Sequence, residues 1–122
     1  MKPLSVMMKK AGIDADSVIS RLGGNTDLYL SICLKFINDP TIPCIMKAMD
    51  ENNLSAAGMH IHTLKGVTAN LGFIRLYELC VTMLEELKNN NYLDFRSDFC
   101  RLKREYRILL SFLNSLRTKA NR

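Results

Sequence analysis

The strongest constraint on the fold of this chain is a regular spacing of apolar and small side chains over residues 54–71. An α-helix completes one turn in 3.6 residues, so side chains separated alternately by three and four positions lie in one narrow stripe. Such a stripe is typical of a helix that packs lengthwise in a bundle. Its members are Leu54, Ala57, Ile61, Leu64, Thr68 and Leu71.

The rest of the chain carries the same helical pattern. The 122 residues include only three prolines and six glycines, which fall mostly between periodic segments. No stretch shows the strict alternation that a half-buried strand requires. We therefore predict an all-α protein, and a length of this size predicts one domain over residues 1–122.

Capping and breaking residues divide the pattern into predicted helices. Asp14 and either Asn25 or Thr26 are suited to begin helices, whereas the two prolines within residues 39–43 should interrupt one. Short turns between long helices place neighbours antiparallel, which predicts an up-down-up-down four-helix bundle with short N-terminal helices. The predicted segments are 4–10, 15–22, a third from Asn25 or Thr26 that is interrupted at 39–43 and resumes over 43–50, then 54–71, 73–88 and 93–117.

Composition excludes several classes of function. No apolar run reaches the roughly 18 residues that span a bilayer, and no secretory signal is evident, so we expect a cytoplasmic protein. Four cysteines without a C-x-x-C pair predict buried free thiols and no metal site. These cysteines are Cys33, Cys44, Cys80 and Cys100.

The net charge of +5 comes largely from the last quarter of the chain. Acidic residues, among them Asp98 and Glu105, interrupt the basic ones, which favours a solvated helix face over a nucleic-acid interface. Attraction to an acidic protein surface is the next interpretation. The basic residues are Arg96, Arg101, Lys103, Arg104, Arg107, Arg117, Lys119 and Arg122.

A histidine, a lysine and a glycine lie within one turn beside the stripe of the helix over residues 54–71. His62 follows the stripe residue Ile61 directly, and Lys65 and Gly66 come three and four positions later. A cation beside an imidazole, with a side chain missing next to it, suits a histidine that meets an anion and a bulky partner. Gly58 and Gly66 each cost a helix about 1 kcal/mol relative to alanine, which indicates that close approach matters here.

Residues 62–72 resemble the signature of histidine-containing phosphotransfer (HPt) domains, H-x-L-K-G-x-(S/A/T)-x-x-x-G. Residues 22–29 and 79–87 are also similar to segments of that family, and the likeness extends over about residues 14–90. The resemblance implies a phosphocarrier rather than an enzyme, without an ATP site or a cofactor of its own. It would accept a phosphoryl group from the aspartate of one receiver domain and pass it to another. The receiver would supply the magnesium ion and an acidic pocket.

The resemblance also implies roles for individual residues. His62 would be the phosphoryl acceptor, through Nε2, and Lys65 would offset the charge of the phosphoryl group. Gly66 would leave room for the receiver, and Gly72 would end the helix. His60 lies about 160° around the helix from His62 and lacks the matching lysine and glycine. We expect a docking surface for the receiver around His62, with Gly58, Met59 and Ala69 at its centre.

One position departs from the family pattern. Several HPt domains place a polar residue on the next helix, near the histidine, where this chain has Leu84. Either this contact is missing or another group, such as Glu85 or a water molecule, replaces it. Glu85 and Glu86 are otherwise expected to be helix-surface residues. Thr68, at a position where Ser or Ala is commoner, is small enough to pack.

Three other functions are compatible with the sequence. The chain could be an HPt-like module that docks receivers without being phosphorylated. It could be the phosphoacceptor domain of a chemotaxis-type or hybrid histidine kinase, which shares the motif. A basic bundle that binds nucleic acid is supported by charge alone. A histidine face that must stay accessible favours a monomer, and the sequence leaves open whether the chain is free-standing or part of a larger kinase.

Overall fold

A computed structural model describes the backbone of residues 4–120 and the side chains of residues 4–118. This part of the chain is helical, with one isolated antiparallel bridge between Ile13 and Phe73 and no longer strand. The all-α prediction is thereby confirmed. The helices are α1 (Leu4–Lys10), α2 (Ala15–Arg21), α3 (Thr26–Lys35), α4 (Thr41–Asp50), α5 (Leu54–Leu71), α6 (Ile74–Lys88) and α7 (Tyr92–Ala120), with a 3₁₀ turn at Phe36–Asn38.

The predicted caps of the N-terminal helices are confirmed. The Asp14 carboxylate accepts hydrogen bonds from the backbone N–H and the hydroxyl of Ser17, at 3.3 and 2.8 Å. Asn25, rather than Thr26, caps α3 by accepting from the backbone N–H of Leu28 at 3.0 Å. Each cap satisfies an amide that the helix itself leaves unpaired.

The predicted interruption near residue 40 is confirmed, but the predicted restart at residue 43 is wrong. Asp39 is extended, with φ −69° and ψ 129°, as a residue before proline usually is. Its carboxylate accepts from the backbone N–H of Thr41 at 2.8 Å, and α4 begins there. Pro43 therefore lies in the first turn of α4, where a missing N–H costs no helical hydrogen bond.

Helix α5 has the predicted bounds, and five of its six stripe residues are buried; Leu54 is half-buried. Thr68 is fully buried, and its hydroxyl donates to the carbonyl of Leu64 at 2.8 Å. A small polar residue thus packs in the stripe without an unpaired group. The last two helices differ little from prediction. Phe73 is the residue before α6 rather than its first, and α7 extends beyond both predicted ends.

Consecutive helices pack against each other from α4 to α7, and α3 contacts α7 while α2 contacts α5. The shared interior is apolar and includes Tyr29, Ile61, Leu64, Met83 and Leu102. Phe36, Phe73 and Tyr106 meet edge to face, with ring centroids 5.1 and 6.2 Å from the Phe36 ring. This interior fixes one side of α5 and leaves its other side to solvent.

The end of α5 is held by the N-terminal segment. Gly72 has φ +76°, a left-handed conformation that ends the helix, as predicted for this glycine. Its carbonyl accepts from the backbone N–H of Asp14 at 2.8 Å, and the N–H of Ile74 donates to Gly12 at 3.1 Å. The buried Tyr29 hydroxyl donates to the carbonyl of Leu71 at 2.7 Å. These contacts fix where α5 ends.

Two predictions about composition are confirmed only in part. All four cysteines are free thiols, but Cys44 is half-buried and Cys100 is exposed. The arginines of α7 are exposed, as a solvated face requires, whereas Lys103 lies 4.8 Å from the centroid of the Phe99 ring. The side chains of Lys119 and Arg122 lie outside the described residues. Within residues 4–120, no helix combines the length and the apolar character that crossing a membrane requires.

Candidate functional site

His62 lies in the middle of α5 with its side chain exposed. The buried residues on either side, Ile61 and Leu64, hold the stripe against the interior and so turn His62 towards solvent. Among the described residues, no hydrogen bond or ion pair engages the imidazole. Both ring nitrogens are therefore open to a reactant from outside the chain.

Lys65 lies one turn further along, half-buried on the side of α5 that faces α6. Its ammonium acts on the buried thiol of Cys80, on α6. Burial raises the pKa of Cys80 to about 12, and the nearby ammonium lowers it only in part. Cys80 is thus a neutral packing residue, and Lys65 has no carboxylate partner within the described part of the chain. The lysine is free to meet an anion at His62.

The two glycines near His62 differ in their surroundings. A Cβ atom at Gly66 would meet nothing within 4 Å, so the surface beside His62 is open there. A Cβ atom at Gly58 would lie 3.1 Å from Cδ1 of Leu87 on α6. Gly58 is half-buried and lets α5 and α6 approach each other. Only Gly66 leaves empty space in front of the helix.

The other two residues predicted for docking lie on the solvent side of α5. The Met59 side chain is 66% exposed, and Ala69 is exposed as well. Seven residues separate His62 from Ala69, which returns the helix to nearly the same face about 10 Å further on. The structure thus brings His62, Gly66 and Ala69 to one accessible strip of α5, while Gly58 lies partly beneath α6.

No side chain of α6 forms a hydrogen bond or an ion pair with the imidazole. Leu84 is half-buried and packs against the interior. Glu85 is exposed and accepts from the side-chain amide of Asn89 at 3.5 Å. Neither residue, therefore, fixes which nitrogen of His62 carries the proton. Helix α5 itself, held by its core contacts and by its end, orients the side chain.

His60 belongs to a different surface. It is half-buried and lines a shallow cleft beside α4, together with Lys47, Glu51 and the half-buried Cys44. No group of three or more histidine, cysteine or acidic side chains within the described residues could hold a metal ion. His60 thus lies on the opposite flank of α5 from Lys65 and Gly66.

The sequence prediction missed one buried acidic pair, between α6 and α7. Glu86 was predicted to be a surface residue, but it is half-buried, and its Oε1 is buried without a hydrogen-bond partner. Its neighbour Asp98 is only 8% exposed and pairs with Arg101 at 3.2 Å. Burial, then the nearby Asp98 and Asp94 carboxylates, raise the pKa of Glu86 to about 7, and Arg101 lowers it only in part. The sequence offered one signal for this burial, since Glu86 lies next to the apolar residues of α6 that face the interior.

Comparison with known families identifies the chain. The family model described as Hpt domain matches residues 39–117, well over half of the sequence. No curated protein and no solved structure matches it. Hpt domains are phosphotransfer modules of two-component signalling, phosphocarriers rather than enzymes, and they generally interact with receiver domains of phosphorelay proteins. An all-helical chain with an exposed His62 in its central helix, matched over this range, belongs to the Hpt domain family.

Proposed function

We propose that this protein is a histidine phosphotransfer intermediate of a two-component phosphorelay. His62 accepts a phosphoryl group from the aspartyl phosphate of one receiver domain and passes it to the aspartate of another. One observation carries this assignment: an exposed histidine, with no hydrogen-bond or ion-pair partner among the described residues, lies in the middle of a helix whose other side is buried from Ala57 to Leu71. The histidine is accessible to a partner, while the packed helix holds it at a fixed position.

The transfer step needs little from the protein beyond position and charge. The lone pair of His62 Nε2 attacks phosphorus, the bond from phosphorus to the aspartyl oxygen breaks, and that aspartate leaves as a carboxylate. The Nδ1 proton of the imidazole passes to solvent as the phosphohistidine forms. The reverse sequence delivers the group to the second receiver. Lys65 offsets the negative charge of the phosphoryl oxygens as they approach.

Open space completes the arrangement. Gly66 gives the receiver loop room beside the phosphoryl group, since nothing lies within 4 Å of its missing Cβ. Met59 and Ala69 extend the accessible surface on either side of His62, and Gly58 brings α6 close behind it. The magnesium ion belongs to the receiver in this scheme, and the protein itself needs no cofactor.

The remaining features of the proposal concern architecture. We infer that α3 with α4, then α5, α6 and α7, form the four members of an up-down-up-down bundle, since α3 lies against α7 and α4 against α5. The turns between α4, α5, α6 and α7 span only two or three residues, which reverses the chain each time. Residues 1–122 would form one domain that acts as a monomer in the cytoplasm, with its histidine face accessible to receivers.

A direct test measures transfer to His62. The protein is incubated with a phosphorylated receiver domain and magnesium, and acid-labile, base-stable phosphate is quantified. We expect the wild type to be labelled and His62→Gln to remain unlabelled. His60→Gln is the matched control, since His60 lies two residues away on the other flank, and it should be labelled like the wild type.

Three outcomes would count against the proposal. Label that persists in His62→Gln would place the phosphoryl group on another residue. Absence of label with every receiver of a panel, although the same receivers bind, would favour the docking module that is not phosphorylated. Salt-sensitive binding to random DNA would favour the nucleic-acid alternative.

A further inference from the structure

A cleft of about 200 Å³ lies at the C-terminal half of α5, between α2 and α6. Val18 and Arg21 of α2 form one wall, Ile74 and Tyr77 of α6 form the other, and Ala69 lies on the floor. The N-terminal helices are not needed to complete a four-helix bundle. Here, however, α2 forms one wall of a groove at the C-terminal end of the α5 face that carries His62.

The charges that line this cleft are not equivalent. The Asp14 carboxylate caps α2 and accepts from two groups of Ser17, so it is already satisfied. Arg21 is exposed at the last turn of α2 and has no carboxylate partner within the described side chains. The Tyr77 hydroxyl has no hydrogen-bond partner there either. The cleft therefore presents one unpaired cation and one phenol beside apolar side chains.

The cleft is continuous with the face that carries His62. Ala69 lies about 10 Å from His62 along α5 and on nearly the same side. A stable interface covers about 800 Å² on each partner, which corresponds to a disc of roughly 16 Å radius. A protein centred on His62 that reaches towards the C-terminal end of α5 contacts the cleft.

We propose that this cleft is a second contact region for the receiver domain, in which Arg21 pairs with a carboxylate of the receiver while the exposed Ala69 and Ile74 cover an apolar side chain beside it. The inference rests on the proposed function for the identity of the partner. Continuity with the His62 face selects the receiver, because a domain centred on His62 also covers the cleft, and an arginine without an ion-pair partner there is suited to a carboxylate of that domain. Arg21 lines the cleft and His62 does not, so the role assigned to Arg21 is to position the receiver.

The test compares two charge reversals of equal size. Arg21→Glu changes the cleft, and Arg104→Glu changes an exposed, unpaired arginine on the outer side of α7. Each variant is titrated with an isolated receiver domain, the one from a panel that transfers fastest to the wild type. We expect Arg21→Glu to raise the half-saturating receiver concentration about five- to tenfold without changing the maximal transfer rate. Arg104→Glu should leave both values near those of the wild type.

Two further measurements separate this inference from the proposed function. Phosphoramidate, a small phosphoryl donor, should label Arg21→Glu as fast as the wild type, which shows that the variant is folded and His62 is intact. Binding of the receiver, activated with beryllium fluoride and magnesium, is compared between His62→Gln and the double variant with Arg21→Glu. Weaker binding of the double variant supports the cleft even if no phosphoryl group is ever transferred. Arg21→Gln, a milder change, should show a smaller effect of the same kind.

Three results would overturn the inference. The first is an unchanged half-saturating concentration in Arg21→Glu. The second is a lower maximal rate with unchanged half-saturation, since this would make Arg21 part of the chemistry. The third is self-association of the wild type that Arg21→Glu abolishes in sedimentation, which would assign the cleft to a second copy of the chain.

Discussion

Gly66 lies within α5 and Gly72 caps its C-terminal end, six residues further along. The surroundings of the two glycines are opposite. Gly66 has ordinary helical geometry and empty space in front of it. Gly72 has φ +76°, and a Cβ atom there would lie 2.5 Å from the carbonyl oxygen of Asp14. Of these two glycines, only Gly72 is required by the protein's own backbone and neighbours. At Gly66, no described residue requires a glycine, and the proposed function assigns that requirement to the receiver.

The same contrast separates the two regions around these glycines. The end of α5 is enclosed by backbone hydrogen bonds to the N-terminal segment and by the Tyr29 hydroxyl. The middle of α5 carries an imidazole and an ammonium that have no hydrogen-bond or ion-pair partner among the described residues. The hydrogen-bonded C-terminal end of α5 thus helps to hold the exposed middle of the helix, with His62, at a fixed position. Such an arrangement suits a reactive histidine, since misplacement of about 1 Å can cost two orders of magnitude in rate.

The largest effect is expected at the closed end. Gly72→Ala should lower the free energy of unfolding by about 2–4 kcal/mol, because alanine is strained at positive φ and its Cβ would displace Asp14. Urea unfolding measures this change. Gly24→Ala is the matched control: Gly24 has φ +81° but nothing lies within 4 Å of its Cβ position. It should lose only the conformational part, about 1 kcal/mol. Equal losses in the two variants would show that Asp14 does not constrain Gly72.

At Gly66, in the exposed middle of α5, we expect a change in the free energy of unfolding of the opposite sign. Gly66→Ala should raise the free energy of unfolding by about 1 kcal/mol, since alanine favours the helix and meets no neighbour. Transfer from a phosphorylated receiver should nevertheless fall about tenfold, because the methyl group displaces the receiver loop. Labelling by phosphoramidate should not change.

Gly58→Ala tests the stability half of this prediction. Its Cβ would lie 3.1 Å from Leu87, so the gain in stability should be smaller than at Gly66. A more stable Gly66→Ala protein that still accepts phosphoryl groups at the wild-type rate would remove the argument that Gly66 serves the receiver.

The smallest expected effect is a change in the pH dependence of stability. It concerns α6, where Glu85 is exposed and Glu86 is half-buried. Glu86 has a folded-state pKa of about 7 against an ordinary value of 4.5. The folded state therefore binds more protons than the unfolded state between these values, and stability falls as the pH rises through the window. Glu86→Gln should remove this slope and stabilise the protein at pH 8 by less than about 1 kcal/mol, because the glutamate remains partly solvated.

Thermal unfolding between pH 4.5 and 8 measures the slope. Glu85→Gln provides the control, since Glu85 is the next residue on α6 and is exposed. It should keep the wild-type pH dependence. If Glu86→Gln kept it as well, the enclosed carboxyl pair with Asp98 would not control stability in this range.

Local chemistry made much of this structure predictable. The three-four spacing predicted the bounds of α5 and the burial of Ile61, Leu64 and Thr68, because a helix turns by a fixed angle per residue. The caps at Asp14 and Asn25 were predictable for the same reason: each side chain bonds to an amide only three residues away. The restart of the helix at Thr41 was missed, since a proline in the first turn is tolerated.

In the candidate site too, the features that depend on local spacing were predicted, and those that depend on contacts between helices were not. His62, Lys65 and Gly66 were predicted from spacing within one helix and from the resemblance of residues 62–72 to a known family. The burial of Glu86 beside Asp98 was not predicted, because it depends on which sides of α6 and α7 face each other. The packing of α5 against α6 likewise could not be predicted. It places Lys65 near Cys80 and partly covers Gly58.

By itself, the sequence determined that this chain is helical, where most of its helices begin and end, and which histidine stands beside a lysine and a glycine. These properties follow from contacts between residues three or four positions apart. Only the tertiary structure decided that Gly66 faces empty space while Gly72 meets Asp14, and that α2 forms a wall beside the His62 face. Those properties depend on elements distant in sequence, whose positions are set by the packing of a common core.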